Sequence, residues 1–411
     1  PDRTGPDGGG TPDGGARRVL FVVPPLTGHV NPAVGIAGEL AGRGYDVAIA
    51  GHADVVGSLI PPGMRLVPLQ DRLSPEKWAE IEERSRPLRG PASLKFLWEE
   101  FLIPLGRSMA RDVDAVVEQL RPDVMVVDQQ AIGAALVARR RGIPWVTLAT
   151  TSAEFDDPYA VLAGFGQWTA GLLRDFQLAH GVSEADAARG DLRFSDQLTL
   201  VCTVPSLLRR TEFEPHQVFL GCAAGLRRPA PDFPWDWLDP GRQQVLVSLG
   251  TVTREAGGRF LRAAAEALAG MADRLQAVVV APPGPLDDLA AAHPDDLLVR
   301  PFVPQVELLG KVSAVVCHAG NNTVCEALSH GVPLVVAPVR DDQPVIGEQV
   351  ARSGAGIRVR FGRSTPAILR SAITAVLDEP SYREAAGRLR KEFAAAGGVM
   401  TAADHIEKLL A

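Results

Sequence analysis

The stretch FVPQVELLGKVSAVVCHAGNNTVCEALSHGVPLVVAPVRDDQP, Phe302 to Pro344, carries a complete strand–turn–helix–strand unit. Ala314–Cys317 is an apolar, β-branched run of strand length, and it ends at His318. A turn containing Gly320 follows, and a helix opens at Asn321-Asn322-Thr323. Leu334–Ala337 is the next strand; it ends at Pro338 and delivers Asp341-Asp342-Gln343. A helix N-terminus presents free backbone N–H groups and a partial positive charge, which suits phosphate. His318, Asn322 and Thr323 add side-chain donors there. Glu326 can accept hydrogen bonds from adjacent ribose hydroxyls, as an acidic residue does in dinucleotide folds. Alone, it is equally a helix-stabilising acid near a dipole end. Asp342 beside Gln343 offers acceptors and donors for sugar hydroxyls, and alone is equally a polar turn.

The same alternation extends both ways. Gln244–Ser248, Ala277–Val280 and Leu297–Val299 are strand candidates before it. Upstream, Val19–Val23, Tyr45–Ala50, Val124–Val127 and Trp145–Leu148 are near-continuously apolar, as strands buried on both faces of a parallel sheet are. A helix is predicted over Pro32–Arg43, capped by Asn31 with Pro32 in its first turn, and another over Ala131–Arg141. The alternation pauses from about Glu214 to Gly241, where PAPDFPWDWLDPG suits neither element. The expected organisation is a loose tail over 1–16, an N-terminal domain over 17–220, a linker over 221–241 and a C-terminal domain over 242–381. Helices over 382–411 are able to pack back on the first domain.

Length and composition agree with this. At 411 residues the chain is too long for one ordinary core and comfortable for two. No apolar run approaches a membrane span, and the opening shows no secretory pattern. A formal charge of −7 argues against nucleic acid as partner, which calls for a basic excess. Cys202, Cys222, Cys317 and Cys325 form no C-x-x-C pair and read as buried reduced thiols in a cytoplasmic protein.

The Phe302–Gln343 pattern resembles the signature of family 1 glycosyltransferases, GT-B enzymes of the bacterial natural-product and macrolide type. That signature runs aromatic-x-P-Q, H-x-G-x-N-[ST]-x-x-E, G-x-P, then D-Q. Here it is met by Phe302, Pro304, Gln305, His318, Gly320, Asn322, Thr323, Glu326, Gly331, Pro333, Asp342 and Gln343. The resemblance implies an α/β GT-B fold, two Rossmann-like parallel-sheet domains facing across a cleft. It also implies that Phe302 stacks on the nucleobase. Glu326 would hold the ribose, His318, Asn322 and Thr323 the diphosphate, and Asp342 with Gln343 the sugar; Val303, Gln305, Gly320 and Asn321 are further donor-binding candidates. Val247–Thr251 resembles the first donor loop, so Ser248 and Thr251 are expected near the β-phosphate. Phe302 replaces a more usual Trp, and Arg340 stands where many glucose users carry an aromatic. The latter leans the donor toward a dTDP-linked deoxy- or aminosugar, with a UDP-sugar as alternative.

Attack by an acceptor hydroxyl needs a base, worth about 10²–10⁴ in rate. His29 lies in Pro24–Pro32 at the carboxyl end of the first strand, and its G-H-x-N-P setting resembles the family's catalytic loop. Asp128 ends the strand Val124–Val127 on the same side, where it can fix the imidazole's tautomer. Asp123 starts that strand on the far side. Thr27, Gly28, Trp78, Phe96 and Phe155 are candidate walls for a hydrophobic acceptor, although aromatics at helical spacing are also core formers. The resemblance further implies inversion at the anomeric centre. No metal and no bound cofactor are expected, because a helix end and neutral donors meet the diphosphate. Asp112-Val113-Asp114 has D-x-D form but lies in a helix-period stretch, so it reads as a charged face. The partners are a nucleotide-sugar and a small acceptor, without nucleic acid or membrane; a homodimer is compatible with the reading. Two alternatives compete: another GT-B enzyme, such as a nucleotide-sugar epimerase or lipid glycosyltransferase, and a non-catalytic nucleotide-sugar-binding helper.

Overall fold

A computed structural model describes residues 16–70, 80–81, 83–85, 87–88, 90–156, 164–225, 232–250 and 257–411. The expected tail, apart from its last residue, and Trp78 and Thr251 lie outside these residues. Two all-parallel sheets carry the chain. The first has seven strands in the order β3-β2-β1-β4-β5-β6-β7. They are β1 Arg18–Val22, β2 Asp46–Gly51, β3 Arg65–Pro68, β4 Val124–Asp128, β5 Trp145–Ala149, β6 Thr199–Val201 and β7 Gln217–Phe219. The second has six, in the order β10-β9-β8-β11-β12-β13. They are β8 Gln243–Ser248, β9 Leu275–Val280, β10 Leu297–Arg300, β11 Ala314–Cys317, β12 Leu334–Val336 and β13 Gly356–Arg358.

In both sheets the strand order reverses beside the first strand, between β1 and β4 and between β8 and β11. Doubly wound sheets bind ligands just beyond the carboxyl ends at that reversal. Register fixes which residues emerge there. Val22 pairs with Val127 in the first sheet, and Cys317 pairs with Ser248 in the second. His29, Asp128, Ser248 and His318 therefore all follow strand ends at the two reversal points.

The strand interiors are buried on both faces. Val22, Phe21, Val124, Val247 and Val316 are at most 1% exposed, which is why these runs read as continuously apolar rather than alternating. Of the strands that the sequence did not single out, β3, β7 and β13 are only partly buried and so lack a continuously apolar run; β6, Thr199–Val201, is buried but opens on a polar residue.

One helix departs from expectation. The helix predicted from Pro32 begins five residues earlier and spans Thr27–Gly42, with Pro32 inside it. Leu26, not Asn31, occupies the capping position, and no side chain caps it. Proline inside a helix removes the N–H that the carbonyl four residues back would accept; here that carbonyl belongs to Gly28. Its replacement partner comes from the other domain, described below.

The aromatic segment before Gly241 packs on the second domain: Phe233 is buried in its core and the Trp237 indole N–H donates to the Pro294 carbonyl at 2.9 Å. At the other end, Pro380–Ala396 lies against the second domain, where Leu389 and Phe393 are buried. The final helix, Gly398–Leu410, crosses to the first. Its Ala402, Ala403 and Ile406 are fully buried against the Thr27–Gly42 helix. Arg43 anchors the pair through Asp404 at 2.6 Å and Glu407 at 2.8 Å. Truncating a fully buried Ile leaves a cavity, so Ile406→Ala should cost about 2–5 kcal/mol. A lowered thermal midpoint for the first domain's transition, by calorimetry, is the expected result.

Candidate functional site

His29 sits in the first turn of the Thr27–Gly42 helix, beyond β1. Its Nδ1 lies 2.9 and 3.0 Å from the two Asp128 carboxylate oxygens and 2.7 Å from the Thr150 hydroxyl. Thr150 in turn donates to Asp128 Oδ2 at 2.9 Å, and the Gln130 backbone N–H donates to Oδ1 at 2.8 Å. Asp128 is 1% exposed. With this many acceptors around it, Nδ1 carries the proton and Nε2 keeps its lone pair. Burial alone would lower the imidazole pKa, but the charge and hydrogen bond of Asp128, with Asp342 adding to them, raise it above the ordinary value. Thr150 was not singled out by sequence. Its signal is its place, one residue beyond β5 and beside β4.

Across the cleft, the helix Asn321–Ser329 begins behind β11 with Gly320 at its cap and no side chain capping it. Ala319 before it is fully buried with φ of +66°, a left-handed conformation that costs a non-glycine residue energy. It turns the chain sharply enough to aim the helix end into the cleft. The His318 ring lies between two glycines: a Cβ at Gly250 would come within 2.7 Å of Cε1, and one at Gly320 within 2.5 Å of Nε2. Burial, only partly offset by the Ser248 backbone, pulls the His318 pKa down to about 4. The ring is therefore neutral at physiological pH, and its Nδ1 is buried without a well-aligned partner.

Glu326, buried at 2% exposure, accepts from the Gln305 amide at 2.8 Å, so these two expected residues meet. Phe302 keeps 60% of its surface exposed. Val303 packs against the second domain's core. Thr323 and Ser248 are buried at the end of their elements. Gln343 Oε1 accepts from the backbone N–H groups of Val339 and Arg340 at 2.9 and 3.2 Å, which shapes the loop that presents Asp342. Asp342 accepts from the Thr151 hydroxyl of the first domain at 2.6 Å. Burial, with Asp341 adding to it, pushes its pKa up to about 6, against the opposing Thr151 hydrogen bond and His29.

Several expected residues serve the structure in ways sequence did not suggest. The Asn322 amide donates to the Gly28 carbonyl at 2.7 Å, the carbonyl that Pro32 leaves without an intrahelical partner. The Asn321 side chain turns away from the cleft: its Nδ2 donates to the Thr150 and Cys202 carbonyls at 3.0 and 2.9 Å. Only its backbone N–H faces the helix end. Phe155, expected at the acceptor wall, is instead 3% exposed inside a cluster with Phe194 and Phe219. It lies in the short 3₁₀ turn Ala153–Asp156. Phe96 is half-buried, with Arg84 over its ring at 5.3 Å. In the D-x-D triplet, Asp112 accepts from the Gln70 backbone N–H and Asp114 pairs with Arg140 and Arg141, so both acids hold the helix to its surroundings. Among the described residues no helix is long and apolar enough to cross a membrane.

Two doubly wound sheets opposing their carboxyl ends, with an imidazole–carboxylate pair on one side and a bare helix end on the other, are the arrangement of a glycosyltransferase of the GT-B fold. Comparison with known proteins agrees, and the chain belongs to the family 1 glycosyltransferases. The family model for UDP-glucoronosyl and UDP-glucosyl transferases matches residues 207–392. The chain is 32% identical to 4'-demethylrebeccamycin synthase of Lentzea aerocolonigenes over 96% of its own length and 99% of the relative's. It is 30% identical to demethyllactenocin mycarosyltransferase of Streptomyces fradiae, over 97% and 88% respectively. Among solved structures, the glycosyltransferase of kitacinnamycin superposes with a TM-score of 0.75 at 26% identity, covering 96% of this chain and all of that one.

The two glycines flanking His318 give a test of the site's packing. Gly250 also has φ of +66°, so Gly250→Ala adds both strain and a clash. Nucleoside diphosphate affinity, by isothermal titration, should fall at least about tenfold, the equivalent of about 1.4 kcal/mol. Gly166→Ala, which meets nothing within 4 Å, is the control.

Proposed function

We propose that the protein transfers a sugar from a nucleoside diphosphate donor to a hydroxyl of a hydrophobic natural-product aglycone, by direct displacement with inversion, with His29 as general base. The observation that carries this reading is the His29–Asp128–Thr150 cluster. It leaves Nε2 as the one basic nitrogen of the ring, on the side of the molecule where Asp342 and the Asn321 helix approach. The acceptor O–H gives its proton to Nε2 as its oxygen bonds to the anomeric carbon. The glycosidic C–O bond to the diphosphate breaks in the same step. Asp128 stabilises the imidazolium that forms, and the leaving diphosphate's charge falls on the N-terminal N–H groups of the Asn321–Ser329 helix, Thr323 and Asn322. Glu326 takes the ribose hydroxyls, Phe302 the base, and Asp342 with Gln343 the sugar. These donors meet the diphosphate without a metal ion.

The relatives named for rebeccamycin and lactenocin biosynthesis support an aglycone acceptor of that kind. For the donor, Arg340 supports a dTDP-linked deoxy- or aminosugar. Its guanidinium is turned toward the first domain, 3.1 Å from the Ser85 hydroxyl, in the place where many glucose users carry an aromatic.

A panel of UDP-glucose, dTDP-glucose and dTDP-rhamnose against quercetin, 4-methylumbelliferone and a macrolactone, read by mass spectrometry, tests the activity. Acceptor-dependent sugar transfer is expected. Conversion of the donor without acceptor would instead favour an epimerase. dTDP should bind more tightly than UDP. His29→Ala should lower kcat by about 10²–10⁴ while nucleotide affinity is kept; an unchanged kcat removes His29 from the chemistry.

The pH dependence has a defined sign. The base must be neutral, and its pKa is held above the ordinary imidazole value by Asp128, so the acid limb of kcat/KM should lie above that value. Asp128→Asn removes the charge that raises it, and the limb should move to lower pH even as the rate falls.

A further inference from the structure

Asn321 opens the helix assigned to the diphosphate, yet its side chain contributes nothing to the cleft. It is 7% exposed and every polar atom of its amide meets the other domain. Nδ2 donates to the Thr150 carbonyl beyond β5 and to the Cys202 carbonyl beyond β6. Oδ1 lies 3.1 Å from the Ser152 hydroxyl and 3.4 Å from its backbone nitrogen. Ser152 continues the chain of contacts to Gln349 at 2.8 Å, and Gln349 to Asp156. Cys325, one turn on from Asn321, also reaches the Cys202 carbonyl.

One of these partners is the residue that orients the base. Thr150 holds Asn321 through its backbone carbonyl and holds both His29 and Asp128 through its hydroxyl. A single residue therefore stands between the helix that would receive the leaving group and the imidazole that would take the proton.

We infer that Asn321 is a positioning residue: its amide sets the distance between the diphosphate helix and the His29 base by fixing both to Thr150. The inference rests on the function proposed above. It requires no contact between Asn321 and either substrate. The amide is suited to the task because only a group with two donors and an acceptor in one plane satisfies two carbonyls and a hydroxyl together. Misplacing reacting groups by about 1 Å costs on the order of 10²-fold in rate, so loss of this registration should appear in turnover rather than in donor binding.

The test compares wild type, Asn321→Ala, Asn321→Asp, Ser152→Ala and His29→Ala, as full chains, with the donor and acceptor that the panel above selects. Nucleotide affinity is read by titration with UDP and dTDP, and folding by thermal melts. Asn321→Ala should lower kcat about 10–100-fold with Kd for the nucleotide within about threefold. Asn321→Asp keeps the shape but turns a carboxylate oxygen toward two carbonyls, so it should be no better than Ala; wild-type turnover in Asp would mean the side chain only fills space, and would overturn the inference. So would a kcat within about twofold of wild type in Asn321→Ala, or a loss matched by an equal loss of nucleotide affinity. If Asn321→Ala fails to fold, Ser152→Ala, which removes one partner of Oδ1, decides: kcat should fall about 3–10-fold at unchanged Kd, and unchanged turnover is a negative result. Failure of the underlying function looks different. Wild type would then give no acceptor-dependent transfer, or His29→Ala would match it, and both proposals would fall together.

Discussion

Backbone carbonyls at the ends of regular elements have no partner of their own, and in this protein those of one domain are satisfied by side chains of the other. The carbonyls of Thr150 and Cys202 accept from Asn321 and that of Leu207 from Arg352; that of Gly28, orphaned by Pro32 within its helix, accepts from Asn322. A buried polar group left unpaired costs about 1–3 kcal/mol, so the seam holds only in one registration. That registration opposes the two strand-order reversals, and everything assigned to the chemistry follows from it.

Charge then organises the space between the domains. Helices begin at Thr27, Asn321 and Gln343 around the cleft, and each brings a partial positive end. Facing them are Asp128, buried and shared by His29, Thr150 and Gln130, and Asp342, whose carboxyl is pushed up to about 6. The imidazole shifts upward for one reason and the carboxyl for another: His29 gains a charged partner, whereas Asp342 loses water. The Thr151 hydrogen bond to Asp342 moderates that loss without cancelling it.

Much of this was legible in the chain because strand ends are legible. β1, β4, β8 and β11 are buried, mostly apolar runs, and the residues at or beyond their carboxyl ends, His29, Asp128, Ser248 and His318, stood out by position as well as by type. What escaped had a physical reason in each case. Asn31-Pro32 looks like a cap followed by a first helical position, and the helix nonetheless starts at Thr27. The hydrogen bond Pro32 forfeits is replaced from a residue 294 positions away, which no local rule can see. Asn321 read as the opening of a phosphate-binding helix, and its backbone is so placed. The direction of its side chain depends on carbonyls 171 and 119 positions away in sequence. Thr150 is one hydroxyl among Thr150-Thr151-Ser152, and all three turn out to engage the site or the seam. Phe155 sits in a short turn, and its ring partners Phe194 and Phe219 lie 39 and 64 positions on, beyond any local spacing.

The two connections between the domains differ in kind, and the difference bears on how the cleft can work. The final helix is bound to the first domain by fully buried Ala402, Ala403 and Ile406. Separating it would expose apolar surface to water at about 25 cal/mol per Å², so it acts as a fixed strap. The seam at the cleft combines amides, hydroxyls and carbonyls with Val204 and Leu207, which are buried in the second domain's core. A hydrogen bond of this sort contributes only about 0.5–1.5 kcal/mol net, because water can replace the partner when the groups part. Such a seam is costly to misalign. Domains joined by an apolar strap on one side and by many paired polar groups on the other are held in the registration that brings His29 toward the Asn321–Ser329 helix.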